Sequence, residues 1–195
     1  RMASYDLEIR GAGNMLGKQQ SGHITAVGFE LYTQMIEEAV REVRGETVTA
    51  EVEPEIQLGI PAYIPEAYVT DVNQRLILYK RLAGARRAED LTALAEEMQD
   101  RFGPLPPLVD TLLRVMDLRR ALKDLLITAA RMRGDMVVLE FHPETPVHAD
   151  VLLGLAKKDK GRVQLFPDSR LGYRPVERDA DGLIGELKAL CGRLV

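Results

Sequence analysis

The sequence predicts an α+β fold: a glycine-rich amino-terminal loop and helical strap, then a carboxyl-terminal domain of several helices with a small, mostly antiparallel sheet. Three observations predict it. Apolar residues recur at steps of three and four from Phe29 to Val43 and again in successive stretches between Asp71 and Leu126. Past Ile127 the apolar runs shorten to strand length and flank turn residues. Glycine and proline fall between these stretches, where helices stop and start.

The elements follow in order. Residues 6–20 are punctuated by Gly11, Gly13 and Gly17, which suits a loop or a broken helix. Phe29, Tyr32, Ile36, Ala39 and Val43 share one helical face, Glu30, Glu37, Glu38, Arg41 and Glu42 fall largely elsewhere, and Gly45 is the stop. Residues 47–54 read as a linker, which divides the chain into residues 1–48 and 49–195. Ile56, Leu58 and Ile60 alternate with Gln57 and Gly59 as a half-buried strand, ended by Pro61 and Pro65. Asp71 is the expected N-cap of a helix bearing Leu76, Leu78, Tyr79 and Leu82 and closed by Gly84. A second helix, residues 90–101, aligns Leu91, Leu94 and Met98, and Phe102-Gly103-Pro104 stops it. Pro106-Pro107 opens a longer helix to about Leu126 with Leu108, Leu112, Val115, Leu118 and Leu122. Strands at 127–132 and 136–141 flank Arg133-Gly134-Asp135, a hairpin turn. A short helix at 151–157, weak strands at 163–166 and 171–174 joined through Pro167-Asp168, and a helix at 183–194 complete the chain.

Composition limits the function. The 195 residues suit one domain with an appendage, or two small domains, and the 46% apolar and 29% charged content is that of a soluble globular protein. No apolar run approaches the ~20 residues needed to cross a bilayer. The amino terminus lacks the charged-then-apolar layout of a secretory signal, and its motif-like opening reads as the interior of a longer chain. The lone Cys191 forms no intrachain disulfide, fits a reducing cytoplasm, and is expected as a small apolar residue on a helix. A net charge of −4 argues against a stand-alone nucleic-acid-binding module and favours protein–protein contact.

Chemistry of the enzymatic kind is not visible. There is no GxxxxGK[ST] loop; the string from Gly13 to Lys18 lacks its spacing, its Ser/Thr and a preceding strand. His23, His142 and His148 are far apart and form no ligand cluster, so no metal site is expected. No serine, histidine and aspartate stand in a triad pattern. Arg10 and Gln20 differ: an arginine between glycines can approach a phosphate or carboxylate with a bidentate fork, and a glutamine can bridge backbone groups. Spacing alone leaves both as surface polar residues. Arg114, Arg119, Arg120, Lys123, Arg131 and Arg133 form a basic cluster, but Asp110, Asp117 and Asp124 are interleaved, which favours a salt-laced helix surface.

Read whole, the string Asp6-Leu7-Glu8-Ile9-Arg10-Gly11-Ala12-Gly13-Asn14-Met15-Leu16-Gly17-Lys18-Gln19-Gln20-Ser21-Gly22 resembles the translocation motif shared by RecG-type helicases and bacterial transcription-repair coupling factors (the Mfd family). The continuation Val27-Gly28-Phe29-Glu30-Leu31-Tyr32 is similar to the coupling factors and not to RecG. So are Asp71-Val72-Asn73-Gln74-Arg75-Leu76, Tyr79-Lys80-Arg81-Leu82-Ala83 and Asp100-Arg101-Phe102-Gly103-Pro104-Leu105-Pro106. The resemblance is strong to about Leu118 and weak after Ile127.

The resemblance implies a parent protein that meets RNA polymerase stalled at a lesion, pushes on double-stranded DNA with an ATP- and magnesium-dependent motor, dislodges the polymerase and recruits the repair protein UvrA. In that family Arg10 and Gln20 fall on motor-coupling positions; the start of their hairpin lies upstream of Arg1. The fragment itself would then hold no cofactor and no catalytic residue, its motor lying elsewhere in a cytoplasmic parent. The last domain is autoinhibitory in that family, docking on an amino-terminal UvrB-like domain and covering its UvrA-binding face. Its docking pattern aligns with Glu97, Asp100 and Arg101, which steps of three and four place on one helical face. The plain alternative makes Glu97 and Asp100 solvated and Arg101 a C-terminal dipole partner. Two other readings stay open: the tail of a RecG-type fork-remodelling helicase, and an independent DNA-binding or adaptor domain. The Phe29–Val43 stripe, parted from its motor, is expected to bind a neighbour or a second copy of the fragment.

Overall fold

A computed structural model describes residues 52–195. They form an α+β unit with the order β1 (Glu55–Gln57), α1 (Val72–Ala83), α2 (Ala88–Phe102), α3 (Pro107–Asp124), β2 (Ile127–Arg133), β3 (Met136–Phe141), α4 (Ala149–Lys158), β4 (Val163–Phe166), β5 (Arg170–Tyr173) and α5 (Ala180–Gly192). The sheet runs β1-β2-β3-β5-β4. Its pairs are antiparallel except β1 on β2, which is parallel. The mostly antiparallel sheet expected from the sequence is present.

The helices form where their caps direct. Asp71 is the N-cap of α1, its Oδ1 accepting from the Gln74 amide at 2.8 Å, and the Gly84 amide closes the other end on the Lys80 carbonyl at 3.0 Å. Asp90 does the same service for α2 from inside its first turn, accepting from the Arg87 amide at 3.0 Å and the Arg86 amide at 3.2 Å. That bond carries the helix start back to Ala88, two residues before the predicted start. Gly103 ends α2 at φ 89 and ψ −169, a conformation that is essentially glycine's alone. Pro107 supplies the first turn of α3.

Helix α3 is the centre of the molecule. It packs on β2, on α5, and on α1 and α2. Contact on several sides explains why it buries Val109, Leu113 and Met116 besides Leu112, Val115, Leu118 and Leu122 of the stripe that the periodicity marks, whose first member, Leu108, is only half-buried. Leu112, Leu118, Leu122, Met98, Leu78 and Leu187 are at most 1% exposed and meet in one continuous core.

The hairpin between β2 and β3 turns at Gly134, which has φ 63. The turn into β5 is made by Asp168 and Ser169, both left-handed, so the strand begins at Arg170. The predicted strand over Ile56, Leu58 and Ile60 is only Glu55–Gln57. Leu58 leaves the ladder to enter the core, and Gly59 turns at φ 70 ahead of Pro61. Cys191 lies on α5, buried, and burial pushes its thiol up to about 11.

Candidate functional site

Helices α1 and α2 present a joint face at which the predicted docking residues lie. Glu97, half-buried on α2, receives two arginines. Arg81 of α1 meets it with both ends of its fork: Nη1 donates to Oε1 at 2.8 Å and Nη2 reaches Oε2 at 2.6 Å. Arg101, one turn farther along α2, donates from Nη1 to the same Oε1 at 2.8 Å. The hydrogen bonds from Arg81, and then those from Arg101, hold the Glu97 carboxyl down at about 2, below the usual carboxylate range.

Arg101 is held on other sides as well. Its Nη2 lies 3.4 Å from Oε1 of Gln74 on α1, and its guanidinium carbon is 4.9 Å from the centroid of the Phe102 ring. Phe102 is in turn fixed edge-on by Tyr68, with ring centroids 5.9 Å apart and planes at 64°. The Tyr68 hydroxyl stands 3.0 Å from the Met98 carbonyl and 2.9 Å from that of Gly103, so it caps the last turn of α2 with its one proton. The 58–70 segment that carries Tyr68 is tied to α1 where the Ile64 amide donates to the Tyr79 hydroxyl at 2.7 Å.

The structure therefore brings Glu97 and Arg101 together and leaves Asp100 out of their network. Asp100 is exposed, and among the described residues its carboxylate makes no hydrogen bond or ion pair. Arg81 and Gln74 complete the cluster from the other helix. Spacing could not reveal them, because the contacts span 16 and 27 residues and depend on how α1 crosses α2. Their trace in the sequence is their place in the two strings, residues 71–76 and 79–83, that carry the resemblance.

In the basic cluster on α3 and β2, Arg114 and Arg120 are paired with the interleaved aspartates, whereas Arg133 is exposed and makes no ion pair among the described residues. Arg114 meets Asp110 at 2.9 Å, and Arg120 meets Asp117 at 3.0 Å and Asp124 at 3.4 Å. Arg131 pairs with Glu55 and with Glu140. A further pairing was not legible: Glu53, in the stretch read as a linker, bridges buried Arg119 at 3.0 Å and Lys123 at 2.7 Å. Pro54 beside it is buried, so the linker's end is docked on α3. His148 is exposed at the start of α4, and His142 is half-buried with Nδ1 accepting from the Glu144 amide at 3.2 Å. Arg10, Gln20 and His23 lie outside the described residues, as does the Phe29–Val43 stripe.

Residues 58–152 match the TRCF domain family. The chain is 39% identical over 188 residues, 96% of its length, to a transcription-repair-coupling factor of Myxococcus xanthus. It is 36% identical over 88% of its length to that of Escherichia coli and 39% identical over 77% to that of Bacillus subtilis. It spans only 16%, 15% and 13% of the lengths of these relatives. A solved structure of the C-terminal domain of transcription-repair coupling factor superposes with a TM-score of 0.65 at 19% identity, covering 73% of this chain and 91% of that one, and so shares its fold.

Proposed function

The chain belongs to the transcription-repair coupling factor family, and from that premise we propose that it is the carboxyl-terminal part of such a factor, carrying a motor-coupling segment and a regulatory domain. In this reading the parent is an ATP- and magnesium-dependent DNA translocase that removes stalled RNA polymerase at lesions and brings in excision repair. The 195 residues hold no phosphate-binding loop of the GxxxxGK[ST] kind, so the motor's nucleotide belongs to other parts of the parent. Arg10 and Gln20, in residues 1–48, couple hydrolysis to movement. Residues 49–195 dock on the amino-terminal UvrB-like domain and mask its UvrA-binding surface. The parent works in the cytoplasm; among the described residues no helix is long and apolar enough to cross a membrane.

The observation that carries the docking reading is the α1–α2 face. It is charged, lies at the surface and is internally braced, with Asp100 unengaged at its edge. Exposed charged contacts contribute only ~0–1 kcal/mol each, so a clasp built from them can open without unfolding either partner. Against the independent DNA-binding reading, Arg114, Arg120 and Arg131 of the basic cluster each face a carboxylate. The test is the affinity of the full-length protein for UvrA with and without residues 52–195. Removal should raise it about tenfold or more, within the range of allosteric couplings. An unchanged affinity would remove the masking role.

A further inference from the structure

Of the three residues at the candidate docking face, the geometry separates Glu97 from the other two. Resting on the docking reading above, we infer that Glu97 is a positioning residue that acts through Arg101, with Arg81 and Gln74 of α1 completing the mount, and that Arg101 and Asp100 are what the partner meets. The partner surface then carries a carboxylate opposite Arg101 and a cation opposite Asp100.

The oxygen positions of Glu97 support this. Its Oε1 accepts from both Arg81 and Arg101, and its Oε2 is taken by the second arm of Arg81. A carboxylate offers about four lone-pair sites, and three of them are filled from within the domain. A cation from outside would have to displace Arg81 or share what is left. Glu97 is also the less exposed of the pair: its side chain is 32% accessible against 46% for Arg101.

Arg101 has the opposite character. Of its five N–H donors, one is used on Glu97 and one reaches Gln74 at a long 3.4 Å. The Phe102 ring supports the guanidinium plane. A planar fork fixed at its back with donors to spare in front is preorganised for a bidentate acceptor, so less freedom is lost when it binds. Asp100 precedes it on α2 with its carboxylate unengaged. Glu97 and its two arginines sum to one positive charge, and Asp100 balances it, so the face offers one unit of each sign and not an acidic patch.

A double-mutant cycle in the full-length protein tests the assignment, with UvrA affinity as the measure of undocking. Arg101→Ala should raise that affinity about tenfold. Glu97→Ala should raise it by a similar or smaller factor, and the double variant by no more than Arg101→Ala alone, because a residue that acts through Arg101 has nothing left to act on. Glu97→Gln keeps an acceptor for Arg101 and should stay close to the parent protein. If the two single effects multiply in the double variant, or Glu97→Gln matches Glu97→Ala, then Glu97 meets the partner directly and the inference is overturned. If Arg101→Ala and Asp100→Lys both leave UvrA affinity unchanged, the docking reading itself falls. The melting temperature of each variant identifies any effect that comes from loss of fold.

Discussion

Arg81 and Glu97 meet through both arms of the guanidinium and both carboxylate oxygens, at 2.8 and 2.6 Å, and this contact ties α1 to α2 beneath the candidate docking face. The same carboxylate orients Arg101. One acidic side chain therefore sets both the helix pair and the geometry of the residue displayed on it.

This arrangement has a defined pH dependence. The folded state holds the Glu97 carboxyl at about 2, below its ordinary 4.5. A depressed pKa stabilises the fold at pH values above the unfolded value, and that contribution fades as pH falls through the folded value. The melting-temperature difference between the parent protein and Glu97→Gln should be constant above pH 4.5 and shrink between 4.5 and 2. A difference that disappears already at pH 6 would place the carboxyl outside the arginine pair.

Gly103 ends α2 in a backbone region that a side chain does not tolerate, although open space surrounds the position a Cβ would take. Gly103→Ala should therefore destabilise by about 1–3 kcal/mol through backbone strain alone. It should also shift the Tyr68–Phe102 support under Arg101. Urea denaturation measures the first effect, and an unchanged midpoint would contradict it.

Glu53 fastens the end of the linker by bridging Arg119 and Lys123. Arg119 is buried, and a buried charge is held less well when one of its partners is removed. Glu53→Ala should cost about 1–3 kcal/mol. It should also speed amide exchange in β1, which adds only three residues to the sheet edge. Exchange in β1 equal to that of the parent protein would show that its backbone ladder holds without the Glu53 ion pairs.

Cys191 is buried on α5 and its thiol is raised to about 11 by burial. Reaction with a soluble disulfide reagent at neutral pH should be slow in the native protein and become fast in denaturant. Rapid native labelling would indicate that α5 opens locally.

Much of this architecture is legible from the sequence because it depends on local physics. Asp71, Gly84, Gly103 and Pro107 act at the helix ends they mark, and Leu91, Leu94 and Met98 all enter the core from the face their spacing defines. The Glu97–Arg101 pair is legible too, since residues four apart on a helix are neighbours. What escapes is every contact that depends on how elements cross. Arg81 and Gln74 reach α2 only because α1 packs against it, and Glu53 finds Arg119 only once the chain has folded back across α3. The division of labour between Glu97 and Asp100 escapes for the same reason: spacing puts both on one face, but the pairing across helices engages only one.

In the proposed function this domain docks on the amino-terminal domain of its own parent through the α1–α2 face. Calorimetric titration of the 195-residue chain with that domain, at low salt, tests it most directly. Asp100→Lys is the cleaner reversal, because Glu97→Lys would set a third cation beside Arg81 and Arg101 and lower the melting temperature by itself. Docking through this face gives saturable binding by the unsubstituted chain and its loss with Asp100→Lys at an unchanged melting temperature. Binding that survives the Asp100 reversal undiminished would contradict it.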